Sequence, residues 1–514
     1  MGSFDSLVQA FFSVGEVQQP LWGGVILALT GGIYVALSRL VFHRLADVPG
    51  PKLAALSDWY VAYWNVVKDG QFVHHLAELH RVYGPVVRIG PNKLHFADQA
   101  AFDTIYRDPR LPKEPWYYNA FSVTESSFGA SDIQAAKHHG NLVRGFFSRK
   151  NVLQLEDVIQ DVIDRFVLVL ATKAHTHDVI DFHRAFASIT MEVITTYCFD
   201  KNFNTVSYPD FAHPAMIGFH QSNSALVAMR HIPFLRPILF NMPTWLTRRL
   251  SPGAMGRINF IKAVDAQISG ILEDGSTLDR AEHEIIYHHL LNPKNEGENL
   301  SRKSLRDHAM SLVIGGTETV ANTCVMATYH VLANSRIKER LKAELVEAWP
   351  DVDAAPVNLE RLEKLPYLTA VIKESLRKSH GVVYPAPRVV KEATHVGGML
   401  VPENTVVGMS QTFVHLNPDV FPNPDKFDPD RWLFDDVRTL DNNLVPFSKG
   451  PRSCLGINLA WAELYLILGN VFRKVDLELA GTKESDLDFN AYFIVKYRGR
   501  TMAKVLGVQG AGRG

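Results

Sequence analysis

Residues 447–456 read Phe-Ser-Lys-Gly-Pro-Arg-Ser-Cys-Leu-Gly, and the INLAWAELYLILGNVF that follows is apolar enough for a buried helix. Cys454 therefore stands at a loop-to-helix junction, where free N–H groups and the helix dipole favour an anion. Arg452 and Lys449 add positive potential. A thiolate so placed suits nucleophilic attack, redox sensing or metal ligation; a buried, inert thiol is the plain alternative. In the apolar run 301–333, Gly315-Gly316-Thr317-Glu318-Thr319 sets a carboxyl and a hydroxyl beside two glycines. Each glycine costs a helix about 1 kcal/mol relative to alanine, so a simple core helix has little reason to carry the pair. Glu374-Ser-Leu-Arg377 places opposite charges (i, i+3) on one helix, a spacing that is usually solvated. His283-Glu284 with His288 misses the four-residue spacing of a helical zinc motif, because position 287 is Tyr; a solvated helix surface is the expected setting. There is no Walker loop, and no G-x-G-x-x-G opens a βαβ unit, so the chain shows no nucleotide site of its own.

The cysteine loop resembles the haem-ligand signature F-x-x-G-x-R-x-C-x-G of the cytochrome P-450 family, through Phe447, Gly450, Arg452, Cys454 and Gly456. The resemblance implies haem b (iron protoporphyrin IX) with Cys454 as axial ligand of the iron. Gly450 would permit the tight turn, Gly456 would admit the macrocycle, Phe447 would keep the sulfur dry and Arg452 would pair with a propionate. Glu374 and Arg377 match the family's E-x-x-R pair, with Arg431 of Phe427-Asp-Pro-Asp-Arg-Trp432 as third member; Asp430 stands where the family usually has Glu. The glycines of 301–333 correspond to a groove where the helix loosens over the haem, with Thr319 and Glu318 holding water and relaying protons. Arg388, after Pro387, is a further propionate candidate. The family's W-x-x-x-R is missing: Ala136 and Gly140 occupy its places, leaving Lys137, His138, His139 or Arg144 as substitutes. In wording, IGGTETVANT, APRVV and PFSKGPRSCLGINLA are similar to fungal microsomal members that tailor secondary metabolites, the trichodiene oxygenase-like group above all.

The elements that must position these residues are mostly helices, expected over 72–82, 150–172, 183–198, 301–333, 336–349, 360–379 and 456–473. Shorter strands are expected at 85–89, 93–97, 386–390, 405–409 and 492–498, giving a mainly α fold with small β-sheets. The resemblance makes this the cytochrome P-450 fold, with an N-terminal transmembrane helix ahead of it. Leu21 to Ser38 is free of charge and the apolar stretch runs to Phe42, about the 20 residues that cross a bilayer. Arg39, His43 and Arg44 follow it and no Lys or Arg precedes it. The positive-inside rule then predicts residues 1–20 outside the cytosol, a single-pass anchor at 21–42, a Pro/Gly hinge at 43–52 and a cytosolic domain at 53–514. Endoplasmic reticulum is the expected membrane. Asn299-Leu300-Ser301, a glycosylation pattern, then reads as a helix cap.

The 514 residues carry 53 Lys+Arg against 54 Asp+Glu, which argues against a nucleic-acid partner. Three cysteines exclude a disulfide scaffold, and Cys198 and Cys324, in apolar runs, are expected to be packing. The resemblance implies a monooxygenase that draws NADPH electrons through a separate cytochrome P-450 reductase, with cytochrome b5 as a second donor and Lys449 on a basic docking face. A haem-thiolate isomerase or dehydratase that needs no reductase is the rival within the family. A small apolar substrate is expected, a terpenoid first and a polyketide or alkaloid second. Its expected lining is 113–128, with Trp116, Tyr117, Tyr118 and Phe121, the long helix over 301–333, Val382 to Pro385, and Tyr492-Phe493.

Overall fold

Ser301 opens the longest helix: its hydroxyl accepts the Ser304 N–H, and the helix then runs from Arg302 to Ala333. The computed structural model describes residues 26–510 except 177, 292–299, 354–356 and 435, with the side chain of Phe240 also outside it. The helix Phe182–Phe199 packs along the long helix. A Cβ on Gly316 would sit 2.8 Å from Ile194 Cγ1, so glycine is what lets the two approach; a Cβ on Gly315 would meet nothing within 4 Å beyond its own helix backbone. The expected loosening is absent, because the helix is α-helical without a break. Side chains support its carbonyls: Thr319 donates to Gly315 O at 2.7 Å, and Thr190 on the neighbouring helix donates to Thr317 O at 2.5 Å.

The Glu374 helix, Pro366–Ser379, and the cysteine helix, Ile457–Lys474, complete the frame of the site. The helix expected over 360–379 is divided into Leu359–Leu362 and Pro366–Ser379, with Pro366 at the first turn of the second. That over 150–172 is likewise two, Arg149–Gln154 and Glu156–Thr176. A four-stranded sheet is ordered Val86–Gly90, Lys93–Phe96, Val406–Gly408, Arg388–Val389, and only its central pair is parallel. A second sheet joins Val179–Asp181, Met502–Val508 and Val475–Leu479, with Met502–Val508 as its central strand. Tyr492 and Phe493 lie between the strands Phe489–Ala491 and Val495–Tyr497. The helices Ile133–Arg144, Pro214–His231 and Pro252–Glu273 were not expected.

Of the expected anchor, residues 21–25 lie outside the described residues, as do residues 1–20. Residues 26–40 are helical with Ile26, Leu27, Leu29, Ile33 and Tyr34 exposed. Among the described residues no helix is long and apolar enough to cross a membrane. The Pro49-Gly50-Pro51 segment is a clasp and not a free hinge: Arg88 N–H donates to Pro49 O at 2.8 Å, and a Cβ on Gly50 would sit 2.4 Å from Arg88 O. The buried Arg88 side chain also donates to the carbonyls of Arg39, Leu45 and Pro91, fastening residues 39–50 to the first sheet. His283 is not on a helix; its Nε2 lies 3.2 Å from Tyr197 O, in a bend before Ile286–Leu290.

Candidate active site

Cys454 follows the short turn Gly450–Arg452 and precedes the cysteine helix, with its N–H donating to Phe447 O at 2.9 Å. Gly450 has φ +71°, and a Cβ there would lie 2.4 Å from Tyr106 O, so two independent constraints require glycine. Around Gly456, no protein atom lies within 4 Å of a would-be Cβ. Cys454, Gly456 and Phe447 line a cavity of about 700 Å³, and the exposed surface of the sulfur faces it. Burial pushes the thiol up, opposed by a hydrogen bond from the Gly456 N–H. The expected help from Lys449 and Arg452 does not materialise. Lys449 is paired with Asp103 at 2.7 Å, and Arg452 donates to Ser127 O and Ala130 O. Protein groups alone therefore favour the thiol form of this sulfur, and a metal ion bound to it would favour the thiolate. Cys198 and Cys324 are fully buried packing residues whose thiols burial pushes well up.

Three cations converge on another part of the cavity. Arg388 is 3% exposed and donates to Tyr118 Oη at 3.1 Å. Lys113, 6% exposed, donates to Phe128 O at 2.7 Å and lies 4.4 Å from the ring centroids of Tyr118 and Phe128. Arg452 is the third. Burial and then the nearby Arg388 bring the Arg452 guanidinium down to about 10, while burial, Arg452 and Arg388 hold the Lys113 ammonium well below its usual range. Among the described residues the cavity offers no free balancing anion. Asp108 is engaged by Arg110 at 2.7 Å, and burial raises the Glu463 carboxyl well above the usual carboxylate range. A group bearing carboxylates at one edge fits this arrangement, as the propionates of haem b would require.

Lys113 falls within the stretch expected to line the cavity, but nothing local marks it as a cation beside Arg388: a β-bridge to Arg388 sets its place, with Val389 N–H donating to Pro112 O and Glu114 N–H to Pro387 O. On the helix Ile133–Arg144, the cavity is lined by Ala136, Lys137, Gly140, Asn141 and Arg144. Arg144 Nη2 lies 3.9 Å from a would-be Cβ on Gly140, so its guanidinium reaches back over the position where the family's Arg would start. His139 faces His308 at 3.2 Å, and neither His138 nor His139 lines the cavity.

Glu318 and Thr319, neighbours in sequence, are directed to different places. Thr319 lines the Cys454 cavity; Glu318 lines a small adjoining pocket, and its carboxylate oxygens lie 3.0 and 3.2 Å from Nδ1 of His220 on the helix Pro214–His231. His220 was not anticipated. Of the expected substrate lining, Tyr118 and Phe128 of 113–128, Leu312, Gly315, Thr319 and Val320 of the long helix, and Val382, Tyr384 and Phe493 reach the cavity; Trp116, Tyr117, Phe121, Val383, Pro385 and Tyr492 do not line it.

Outside the cavity, Glu374 is saturated. Its oxygens accept from Arg377 Nε and Nη2 at 2.9 and 2.8 Å, Arg431 Nε at 3.2 Å, Trp432 Nε1 at 3.0 Å and Asp428 N–H at 2.8 Å. Arg377 also donates to His415, Pro424 and Lys426 carbonyls. Asp430, the departure from the family pattern, stands apart on the surface with Arg336 and Arg340.

The family model for cytochrome P450 matches residues 55–502. A tryptophan 6-hydroxylase of Fusarium equiseti is 35% identical over 480 residues, covering 91% of this chain and 93% of the relative. A cytochrome P450 monooxygenase of Eupenicillium brefeldianum is 33% identical, covering 92% of this chain and 96% of its own. An N-acetyltryptophan 6-hydroxylase of Emericella nidulans is 30% identical, covering 91% and 93%. Matched along its whole core and to relatives across nearly their full length, the chain belongs to the cytochrome P450 family: a monooxygenase that carries haem b and takes its electrons from a reductase.

Proposed function

We propose that this monooxygenase hydroxylates a flat aromatic metabolite of the indole class within a fungal biosynthetic route. The wall of the cavity carries the reading. Tyr118, Phe128, Tyr384 and Phe493 line it, with Phe128 edge-on to both Tyr118 and Phe493 at centroid distances of 5.6 Å. Aromatic faces and edges set this way favour a planar ring over a branched hydrocarbon. The two relatives named for tryptophan and N-acetyltryptophan point the same way. A terpenoid is the second reading, supported by the aliphatic lining of Ile194, Leu312, Ile314 and Val320; a polyketide has no observation of its own.

Haem b held by Cys454 supplies the activation of dioxygen. The chain's own part is to seat the propionates on Lys113, Arg388 and Arg452, and to orient the substrate against Gly315 and Thr319. The Thr319 hydroxyl holds water beside the Gly315 carbonyl, and His220 with Glu318 brings protons from the half-exposed side of the helix. A cavity-facing Thr319 supports the reductase-driven reaction over the isomerase alternative. The electron donor is NADPH-cytochrome P450 reductase, with cytochrome b5 as auxiliary. The protein is anchored in the endoplasmic reticulum by 21–42 ahead of a cytosolic domain, a placement supported by the exposed apolar helix at 26–40. Co-expression with a reductase and product analysis on tryptophan, N-acetyltryptophan and a sesquiterpene hydrocarbon tests the substrate reading. A hydroxylated indole sustains it; oxidation of the terpene alone replaces it. Resistance of the full chain to alkaline extraction from microsomes, lost on deleting residues 1–42, checks the anchor.

A further inference from the structure

Arg230 is a buried charge without an answering one. It lies in the last turn of Pro214–His231, is 3% exposed, and its Nε and Nη2 find no hydrogen-bond partner among the described residues. Its guanidinium carbon lies 4.3 Å from the ring centroid of Tyr384 and 4.6 Å from that of Tyr117, two nearly parallel rings. Beside it, burial and then the Arg230 charge push His231 down to about 2, so that ring is neutral; its Nε2 lies 3.1 Å from Asn65 Nδ2. The surroundings thus offer aromatic faces and neutral groups. Two rings replace only part of the hydration a guanidinium loses on burial. The unpartnered atoms are informative as a pair. Nε–H and Nη2–H run parallel along one edge of the guanidinium, the edge that grips a carboxylate with two hydrogen bonds.

Arg230 itself lines neither cavity, but Tyr384, whose ring it packs on, lines one of them. Tyr384 lines the Cys454 cavity, and its N–H donates to the carbonyl of Phe493, another lining residue, at 3.4 Å. Lys113, Arg388 and Arg452 form a separate cluster, already assigned to the propionates. We propose that Arg230 binds a carboxylate of the substrate through Nε and Nη2, reached past the edge of the Tyr384 ring, so that the enzyme's substrates are carboxylic acids whose apolar part lies in the Cys454 cavity. The inference rests on the reading that the substrate occupies that cavity. It deepens that reading by assigning the ionic group, whatever the carbon skeleton.

The test is an optical titration of the holoenzyme, following the shift of the haem band on ligand binding, with two acid–amide pairs: N-acetyltryptophan and its primary amide, farnesoic acid and its primary amide. In at least one pair the acid should bind about tenfold or more tightly than the amide. Arg230→Gln should abolish that preference and leave amide binding within about twofold, while Arg230→Lys should retain part of it as a point charge without the fork. Native-like carbon monoxide difference spectra qualify the variants, and the acid-to-amide ratio of the unaltered protein reads the anchor even if Arg230→Gln fails to fold. An acid preference confined to the farnesyl pair keeps the anchor and removes the indole reading. No acid preference in either pair, or one that survives Arg230→Gln, overturns the anchor.

Discussion

Two clusters of buried charge in this chain follow opposite rules. Around Glu374, one carboxylate meets two guanidinium groups, an indole N–H and a backbone N–H, and the remaining Arg377 donors end on carbonyls. Around Lys113, Arg388 and Arg452, cations crowd one another: burial and then the two guanidinium groups lower the proton affinity of Lys113, and burial and then Arg388 lower that of Arg452. Both clusters are buried, but only the first is complete. A finished network holds structure together, whereas an excess of one sign beside a cavity is a site waiting for its counter-charge.

Replacing Cys454 with Ser strikes at what the incomplete site is for, and its effect should be the largest. The reduced variant should lose the thiolate-type red-shifted carbon monoxide band, and NADPH-driven turnover should fall to background. Persistence of that band would place the iron ligand elsewhere. Glu374→Ala strikes the complete cluster and leaves two buried guanidinium groups unanswered, a loss of about 3–5 kcal/mol. Chemical denaturation should show it in the apoprotein as much as in the holoprotein, because no ligand takes part. A variant that lost haem but kept apoprotein stability would erase the distinction between the clusters.

Lys113→Met should separate them by sign. Removing one of three mutually repelling cations and keeping its apolar length should leave the apoprotein as stable as before, or more so. Haem retention should fall by roughly tenfold, the scale of one charge-assisted hydrogen bond. Transfer of haem to an apomyoglobin acceptor measures the second quantity and denaturant midpoints the first. Parallel losses in both would make Lys113 a structural residue like Arg377.

The same contrast explains what could be read from the sequence. The cysteine loop was legible because its ligand, turn glycine and flanking groups are contiguous, and Glu374 with Arg377 because one helical turn joins them. Lys113 was not, since only a β-bridge to Arg388 brings it to the cavity. Helical geometry separates Glu318 from Thr319 by about 100°, but which of them faces the cavity depends on packing against Phe182–Phe199 and on His220. The unexpected helices have a related cause. A Cβ on Gly218 would sit 2.5 Å from Gly253 O, and one on Gly256 would sit 1.9 Å from Pro214 O. Pro214–His231 and Pro252–Glu273 therefore carry glycines for close contact with each other, and those glycines blur the helical pattern of each. The packing of Pro49-Gly50-Pro51 was not legible for a similar reason, because its partner, the Arg88 backbone, lies on a strand beyond local sequence reach.

His415 links the Glu374 cluster to the segment before the cysteine loop, and its protonation gives the smallest effect, absent at neutral pH. Its backbone carbonyl accepts from Arg377 Nη1 at 2.8 Å, and its Nε2 accepts the Val445 N–H at 2.9 Å, two residues before Phe447 of the cysteine loop. Burial, reinforced by the Arg377 charge, pushes the ring down to about 3. Protonating it would add a cation to a finished network and remove the acceptor that holds Val445. An unfolded His titrates near 6.5, so below that pH the unfolded chain takes up a proton that the folded chain refuses. Stability is therefore fully present above about pH 6.5 and declines as pH falls toward 3, by about 1.4 kcal/mol per pH unit for this group. His183, His308 and His330, also brought down to about 3 by burial, steepen the same limb. In His415→Gln the amide oxygen can still accept the Val445 N–H, but no proton is bound. Its denaturant midpoint should match the native protein's at pH 7.5, and its loss between pH 6 and 5 should be shallower by about 1.4 kcal/mol. Equal slopes would mean that His415 takes up its proton inside the folded protein, and that the network around Arg377 has room for another positive charge.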